Sequence, residues 1–143
     1  MKSFYVDSCI YLNLWQKEGD ERFGTPYWKS AKDFLGKFST KAAIYYSGFL
    51  LKELRFILSE KEFDEKSAMF RSSPNFRKIC LSAGELDEAR MMELELKHNI
   101  SFYDIIHILL AKKSNSVLIT RDRKLLETAG KYGVAAKKPE DFL

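Results

Sequence analysis

The stretch Ile100-Ser-Phe-Tyr-Asp-Ile-Ile-His-Ile-Leu-Leu-Ala111, followed closely by Ser116-Val-Leu-Ile-Thr-Arg-Asp-Arg-Lys-Leu125, decides how the chain is read. The first half is an apolar run opened by Ser101, a good N-cap, so it reads as a buried helix with Ile105, Ile108 and Leu109 on its inward stripe. The second is a continuous apolar strand over 117–120, followed at once by a helix start at Asp122. Strands without alternation are buried on both faces, as in a parallel sheet. Each half also carries an acid where a core would not want one. Asp104 lies in the first turn of the helix, and Asp122 just past the carboxyl end of the strand. Such acids are either local helix caps or half of a metal site, and the rest of the chain must decide which.

Upstream, the same strand-then-acid pattern appears at the start. Phe4-Tyr-Val6 is a short apolar strand ending in Asp7-Ser8, with a helix expected over 10–16. Residues 19–26 hold glycines, a proline and charges and read as a loop. A helix over 27–38 turns Trp28, Ala31, Phe34, Leu35 and Phe38 inward. Residues 41–46 form a second strand, and Ser47 caps a helix running to about residue 58, with Leu50, Leu54, Ile57 and Leu58 as its stripe. Glu53 projects from that same face, and an inward carboxylate needs a partner.

Residues 60–70 are charged with weak periodicity and read as a solvated helix. A third strand over 76–81 belongs near a sheet edge. Ser82-Ala-Gly-Glu85 is a capping box that opens a helix to about residue 97, with Ala89, Met92 and Leu96 inward. After Asp122 come a helix over 123–132, a short strand over 133–136 and a final turn over 138–143. Strands alternating with helices imply crossover connections. The expected fold is a three-layer α/β/α sandwich around a mostly parallel sheet of four to five strands, in one domain over 1–143.

Composition narrows the function classes. A net charge of +4 and a pI near 9.0 permit a polyanionic partner without demanding one. The aromatic share of 14% asks for a core of large side chains, an aromatic interface, or both. The two cysteines, Cys9 and Cys80, form no CxxC, and two histidines do not complete a zinc quartet. The start of the chain has no apolar stretch of the signal-peptide kind, and no run spans a bilayer, so a cytoplasmic protein with free thiols and no membrane partner is expected. Phosphate-loop chemistry is disfavoured, because neither GxxxxGK nor GxGxxG is present.

In an open parallel sheet, ligands bind at the carboxyl ends of the strands. Asp7 and Asp122 follow strands, Asp104 is in the first turn of a helix and Glu53 is inward on another, so the four acids could converge on one edge. Four carboxylates held together repel unless protons or a cation relieve them. Oxygen ligands suit a hard divalent ion, Mg²⁺ or Mn²⁺. Ser8 and Thr120 could hydrogen-bond the ligating carboxylates. Arg121, Arg123 and Lys124 flank Asp122 as candidate phosphate contacts, with a solvated helix start as the competing reading. His107 reads as a satisfied interior histidine rather than a site residue, and Cys9 as a packed thiol.

The ordered set Phe4-Tyr-Val-Asp-Ser8, Glu53, Tyr103-Asp-Ile-Ile-His107 with Ala111, Val117-Leu-Ile-Thr-Arg-Asp122 and Lys138-Pro-Glu-Asp-Phe142 resembles the PIN-domain nuclease family, in particular its VapC-type toxins. The resemblance spans nearly the whole chain and is weakest over 59–82. It implies that Asp7, Glu53, Asp104 and Asp122 are the catalytic, metal-binding acids of a ribonuclease that uses Mg²⁺ or Mn²⁺ to hydrolyse RNA phosphodiester bonds. It also implies an antitoxin protein as partner and pairing as a homodimer. Cys9 departs from the family, which often has serine or asparagine there, and puts a local hydrogen bond in doubt. The alternative is a PIN-like module that binds RNA or a protein without cleaving.

Overall fold

The computed structural model describes residues 2–17, 26–97 and 99–143. The loop expected over 19–26 lies outside them but for Pro26. Five strands form one sheet in the order β3-β2-β1-β4-β5, and every pairing is parallel. They are β1 (Ser3–Val6), β2 (Ala43–Tyr46), β3 (Phe76–Lys78), β4 (Val117–Ile119) and β5 (Ala136–Lys137). Among the described residues seven α-helices connect them: α1 (Ser8–Trp15), α2 (Tyr27–Phe38), α3 (Gly48–Ile57), α4 (Glu60–Ser67), α5 (Ala83–Glu95), α6 (Phe102–Lys113) and α7 (Arg123–Thr128). Short 3-10 turns follow α4 and α7, and another closes the chain at Pro139–Phe142.

Strand β1 is central and buried from Phe4 to Val6, and its period of two splits it between two cores. Phe4 and Val6 face one layer with Ile10, Phe34, Ile44, Leu50 and Leu54. Tyr5 faces the other with Ile105, Ile108, Leu118 and Leu125. These are the two helical layers of an α/β/α sandwich. The aromatic content goes largely into the first core, where Phe142 of the closing turn packs edge-on against Phe4, with ring centroids 5.3 Å apart. The free cysteines are Cys9 and Cys80. No helix of the described residues is long and apolar enough to cross a membrane.

The departures from the expected elements have local causes. Ile57 is 55% exposed, because α3 ends there and the chain turns out before Leu58 returns to the core. Residues 60–70 are not simply solvated: Phe63, Ser67 and Phe70 are buried, and Phe70 stacks on Tyr46 at 4.7 Å. The first helix begins earlier than residue 10, at Ser8, because Asp7 caps it directly. The last strand begins three residues beyond the expected start of its run, since Gly133 takes a left-handed turn (φ 77°) that ends the preceding helical segment. The third strand is shorter than expected, although Ile79 still donates to the Tyr46 carbonyl at 2.9 Å.

Candidate metal centre

β1 and β4 are neighbours in register, Val6 opposite Ile119, so the residues that follow them emerge side by side at the carboxyl edge. Asp7 extends the ladder by donating its N–H to the Ile119 carbonyl at 2.9 Å and then caps α1. Both of its carboxylate oxygens are held. Oδ1 accepts from the Ser8 N–H at 2.8 Å and, more weakly, from the Ser8 hydroxyl at 3.4 Å. Oδ2 accepts from the buried Thr120 hydroxyl at 2.9 Å and the Cys9 thiol at 3.3 Å. The hydrogen bond that Cys9 put in doubt is therefore supplied by its thiol. Burial pushes that thiol well up, and the neighbouring Asp7 charge pushes it further, so it stays protonated and is no nucleophile.

Thr120 also receives the Asp122 N–H at 3.0 Å, joining the two strand-end acids through one hydroxyl. Asp122 is exposed, and its Oδ1 caps α7 by accepting from Lys124 N (2.8 Å) and Leu125 N (3.2 Å). It is a helix cap whatever else it does.

Asp104 is the third residue of α6, and its N–H is capped by the Ser101 hydroxyl at 3.1 Å. Its carboxyl is pushed up to about 6, first by burial and then by the charge of Asp7, with Asp122 adding to it. The three aspartates thus share one field.

Glu53 completes the group. Being half-buried on α3, it needs a partner, and finds His107: Oε1 accepts from the ring Nε2. His107 is fully buried on α6. Burial opposes charge on the ring, but the bond to Glu53 and the charges of Asp7, Glu53 and Asp104 outweigh it, and the net shift is upward. Ligand atoms of Asp7, Glu53 and His107 all lie within 4.8 Å of one another. The expectation of an interior histidine is met in its burial, yet the same ring touches the acids. Its position one turn after Asp104 was the sequence signal, outweighed by the apolar residues around it.

The three basic residues beside Asp122 are engaged elsewhere. Arg121 donates to Asn13 Oδ1 (2.9 Å) and Glu140 Oε2 (2.8 Å), and its guanidinium lies 4.1 Å from the Tyr27 ring centroid. With a side chain only 11% exposed it latches the closing turn to α1, a role that competes with holding phosphate. Arg123 pairs with Glu127 in full solvent, and Lys124 donates to the Asn99 carbonyl at 3.1 Å.

A sheet of this order, with acids gathered at the ends of β1 and β4 and on α3 and α6, agrees with a family model for the PIN domain that matches residues 4–131. The chain belongs to the PIN domain family. Solved structures share the PIN fold at low sequence identity. VapBC2 from Rickettsia felis, bound to a promoter DNA fragment, superposes with a TM-score of 0.67 at 17% identity over 95% of this chain and 98% of that one. The sarcin–ricin loop-cleaving toxin VapC20 from Mycobacterium tuberculosis gives 0.68 at 18% identity over 87% and 94%. A toxin–antitoxin complex from Klebsiella pneumoniae gives 0.63 at 20% over 97% and 98%. No curated protein matches the chain in sequence.

Proposed function

We propose that this PIN domain is a divalent-cation-dependent endoribonuclease and the toxin of a toxin–antitoxin pair. The observation that carries the reading is the excess of acids at the carboxyl edge, which among the described residues is offset by the one histidine paired with Glu53. Asp104 is held near a pKa of about 6 by burial and by Asp7 and Asp122, and among the described residues no lysine or arginine ion-pairs with any of the four acids. The donor set is oxygen-rich, which suits Mg²⁺ or Mn²⁺. Asp7, Glu53, Asp104 and Asp122 would hold the ion. When bound, it would polarise a phosphate oxygen, acidify an attacking water and stabilise the leaving oxygen.

The chain's own residues do the rest. Thr120, Ser8 and Cys9 fix the Asp7 carboxylate in one orientation. Thr120 ties that orientation to the turn carrying Asp122. Ser101 anchors the first turn of α6, so Asp104 is presented by a rigid element. Substrate contacts fall outside Arg121. A cavity of about 220 Å³ is lined by Arg55, Arg71 and Lys78 with Tyr46, Phe63 and Phe70. Its three exposed cations suit the backbone of a polyanion. The fold shared with a toxin that cleaves the sarcin–ricin loop, and with a toxin–antitoxin complex, supports RNA as substrate and an antitoxin as partner. Exposed Phe56 and Ile57 on α3, and Met91 and Leu94 on α5, offer apolar surface to such a partner or to a second copy of the chain.

The test is cleavage of single-stranded and hairpin RNA with Mn²⁺ or Mg²⁺, comparing wild type with Asp104→Asn. Cleavage is expected from the wild type alone, and EDTA abolishes it. Equal cleavage by both proteins refutes the assignment. Metal binding and RNA binding without cleavage favour the non-cleaving module instead.

A further inference from the structure

Residue 107 lies among Ile105, Ile106, Ile108, Leu109 and Leu110, all buried. It is itself a fully buried histidine with both ring nitrogens used. Nε2 donates to Glu53 Oε1, since a carboxylate can only accept. Nδ1 lies 2.7 Å from the Tyr5 hydroxyl. That hydroxyl, itself buried, lies 2.8 Å from Ser47 Oγ, and Ser47 Oγ accepts the Leu50 N–H at 3.1 Å. Ser47 caps α3, the helix that carries Glu53. The hydrogen bonds therefore run from the start of α3 through β1 and α6 and back to α3.

We infer that His107 is a positioning residue for Glu53, braced by Tyr5 and Ser47, which fixes one carboxylate oxygen so that the other is presented to the cation. This rests on the metal-dependent reading above. Glu53 has three freely turning torsions and sits half-exposed, so without a fixed partner its carboxylate would sample many positions. With Oε1 committed to His107, Oε2 has no hydrogen bond among the described residues. Although His107 lies within ligand range of Asp7 and Glu53, it holds no nitrogen in reserve: one points its proton at Glu53 and the other meets Tyr5. It supports a ligand and does not serve as one.

Three substitutions separate the roles, read by calorimetric titration of Mn²⁺ into the purified full chain. His107→Gln places an amide N–H near the position of Nε2 and keeps the reach to Glu53. His107→Asn places its amide near Nδ1, reaching Tyr5 but not Glu53. His107→Leu keeps neither. Mn²⁺ affinity is expected to fall about 10- to 100-fold in the Leu and Asn variants, the usual cost of losing such a support, and to stay near wild type in the Gln variant. A ¹⁵N-histidine label adds a metal-free readout: a downfield imidazole N–H resonance that is lost in Glu53→Ala. Should the Leu variant fail to fold, the Asn and Gln pair carries the test, both being polar. Equal affinity in wild type and the Asn variant overturns the inference. So does an equal loss in Asn and Gln, which would make the ring itself the ligand, or a resonance that survives Glu53→Ala. A wild type that binds no Mn²⁺ overturns the metal reading and this inference together, whereas the other outcomes overturn the inference alone.

Discussion

Asp104→Asn should stabilise the metal-free protein at neutral pH. The Asp104 carboxyl is pushed up to about 6, with burial the largest cause and the Asp7 charge next. Against an unfolded value of about 3.9, a shift of roughly two units corresponds to about 3 kcal/mol at most. The residue is only partly buried, and solvent screening reduces this to about 1–2 kcal/mol. The sign follows from proton binding. Between about pH 4 and 6 the folded state binds the proton more tightly than the unfolded one. Stability linked to this group is thus fully present below the unfolded pKa and is lost as pH rises through about 6. Asparagine removes that loss, so the variant gains most at pH 7–8 and almost nothing near pH 3.5. In thermal unfolding with EDTA present the gain corresponds to roughly 3–6 °C for a chain of this size. Saturating Mn²⁺ should reverse the order, because the wild type binds the ion more tightly and gains more from it. A variant that is destabilised at pH 7.5 without metal, or a gain independent of pH, would refute the claim that Asp104 sits in a field of like charge.

Thr120→Val removes the hydroxyl that serves both Asp7 and Asp122, leaving a buried carboxylate oxygen short of a donor; urea titration should show a loss of about 1–3 kcal/mol. Arg121→Ala should cost about 1–2 kcal/mol, discounted because Glu140 is 38% exposed, and leave RNA affinity unchanged in fluorescence anisotropy; a large loss of RNA affinity would restore it as a phosphate contact. Charge reversal in the basic cavity, Arg71→Glu or Lys78→Glu, should weaken RNA binding and lower the slope of log affinity against log salt by about 0.7 per lost contact, with Mn²⁺ affinity intact. An unchanged slope would remove the cavity from the RNA path.

The sheet was legible because its strands are unbroken apolar runs ended by cap residues: Phe4-Tyr-Val6 before Asp7, and Val117-Leu-Ile119 before Thr120 and Asp122. Capping boxes at Ser59 and Ser82 marked helix starts, although only the second was read as one. The burial of Phe63 is hidden because lysines and glutamates surround it in a helix of eight residues, too short to reveal one buried face, and Phe70 lies in the 3-10 turn that follows. Each of the four acids is proposed from its own local setting. What local reading could not supply was the pairing of Glu53 with His107, because the two are 54 residues apart and meet only when α3 and α6 close over β1. The partners of Arg121 are hidden from local reading for the same reason: Glu140, Asn13 and Tyr27 come from three other parts of the chain.

Strand β1 is the middle strand of the sheet, flanked on one side by Ala43–Tyr46 and on the other by Val117–Ile119. During synthesis it must wait for both neighbours, and β4 is made long after β2. Until then Phe4-Tyr5-Val6 has an open, apolar edge, and the acids of β1 and β4 are not yet in register. A polypeptide cut short before residue 117 would lack β4 and leave that edge free to pair with other chains.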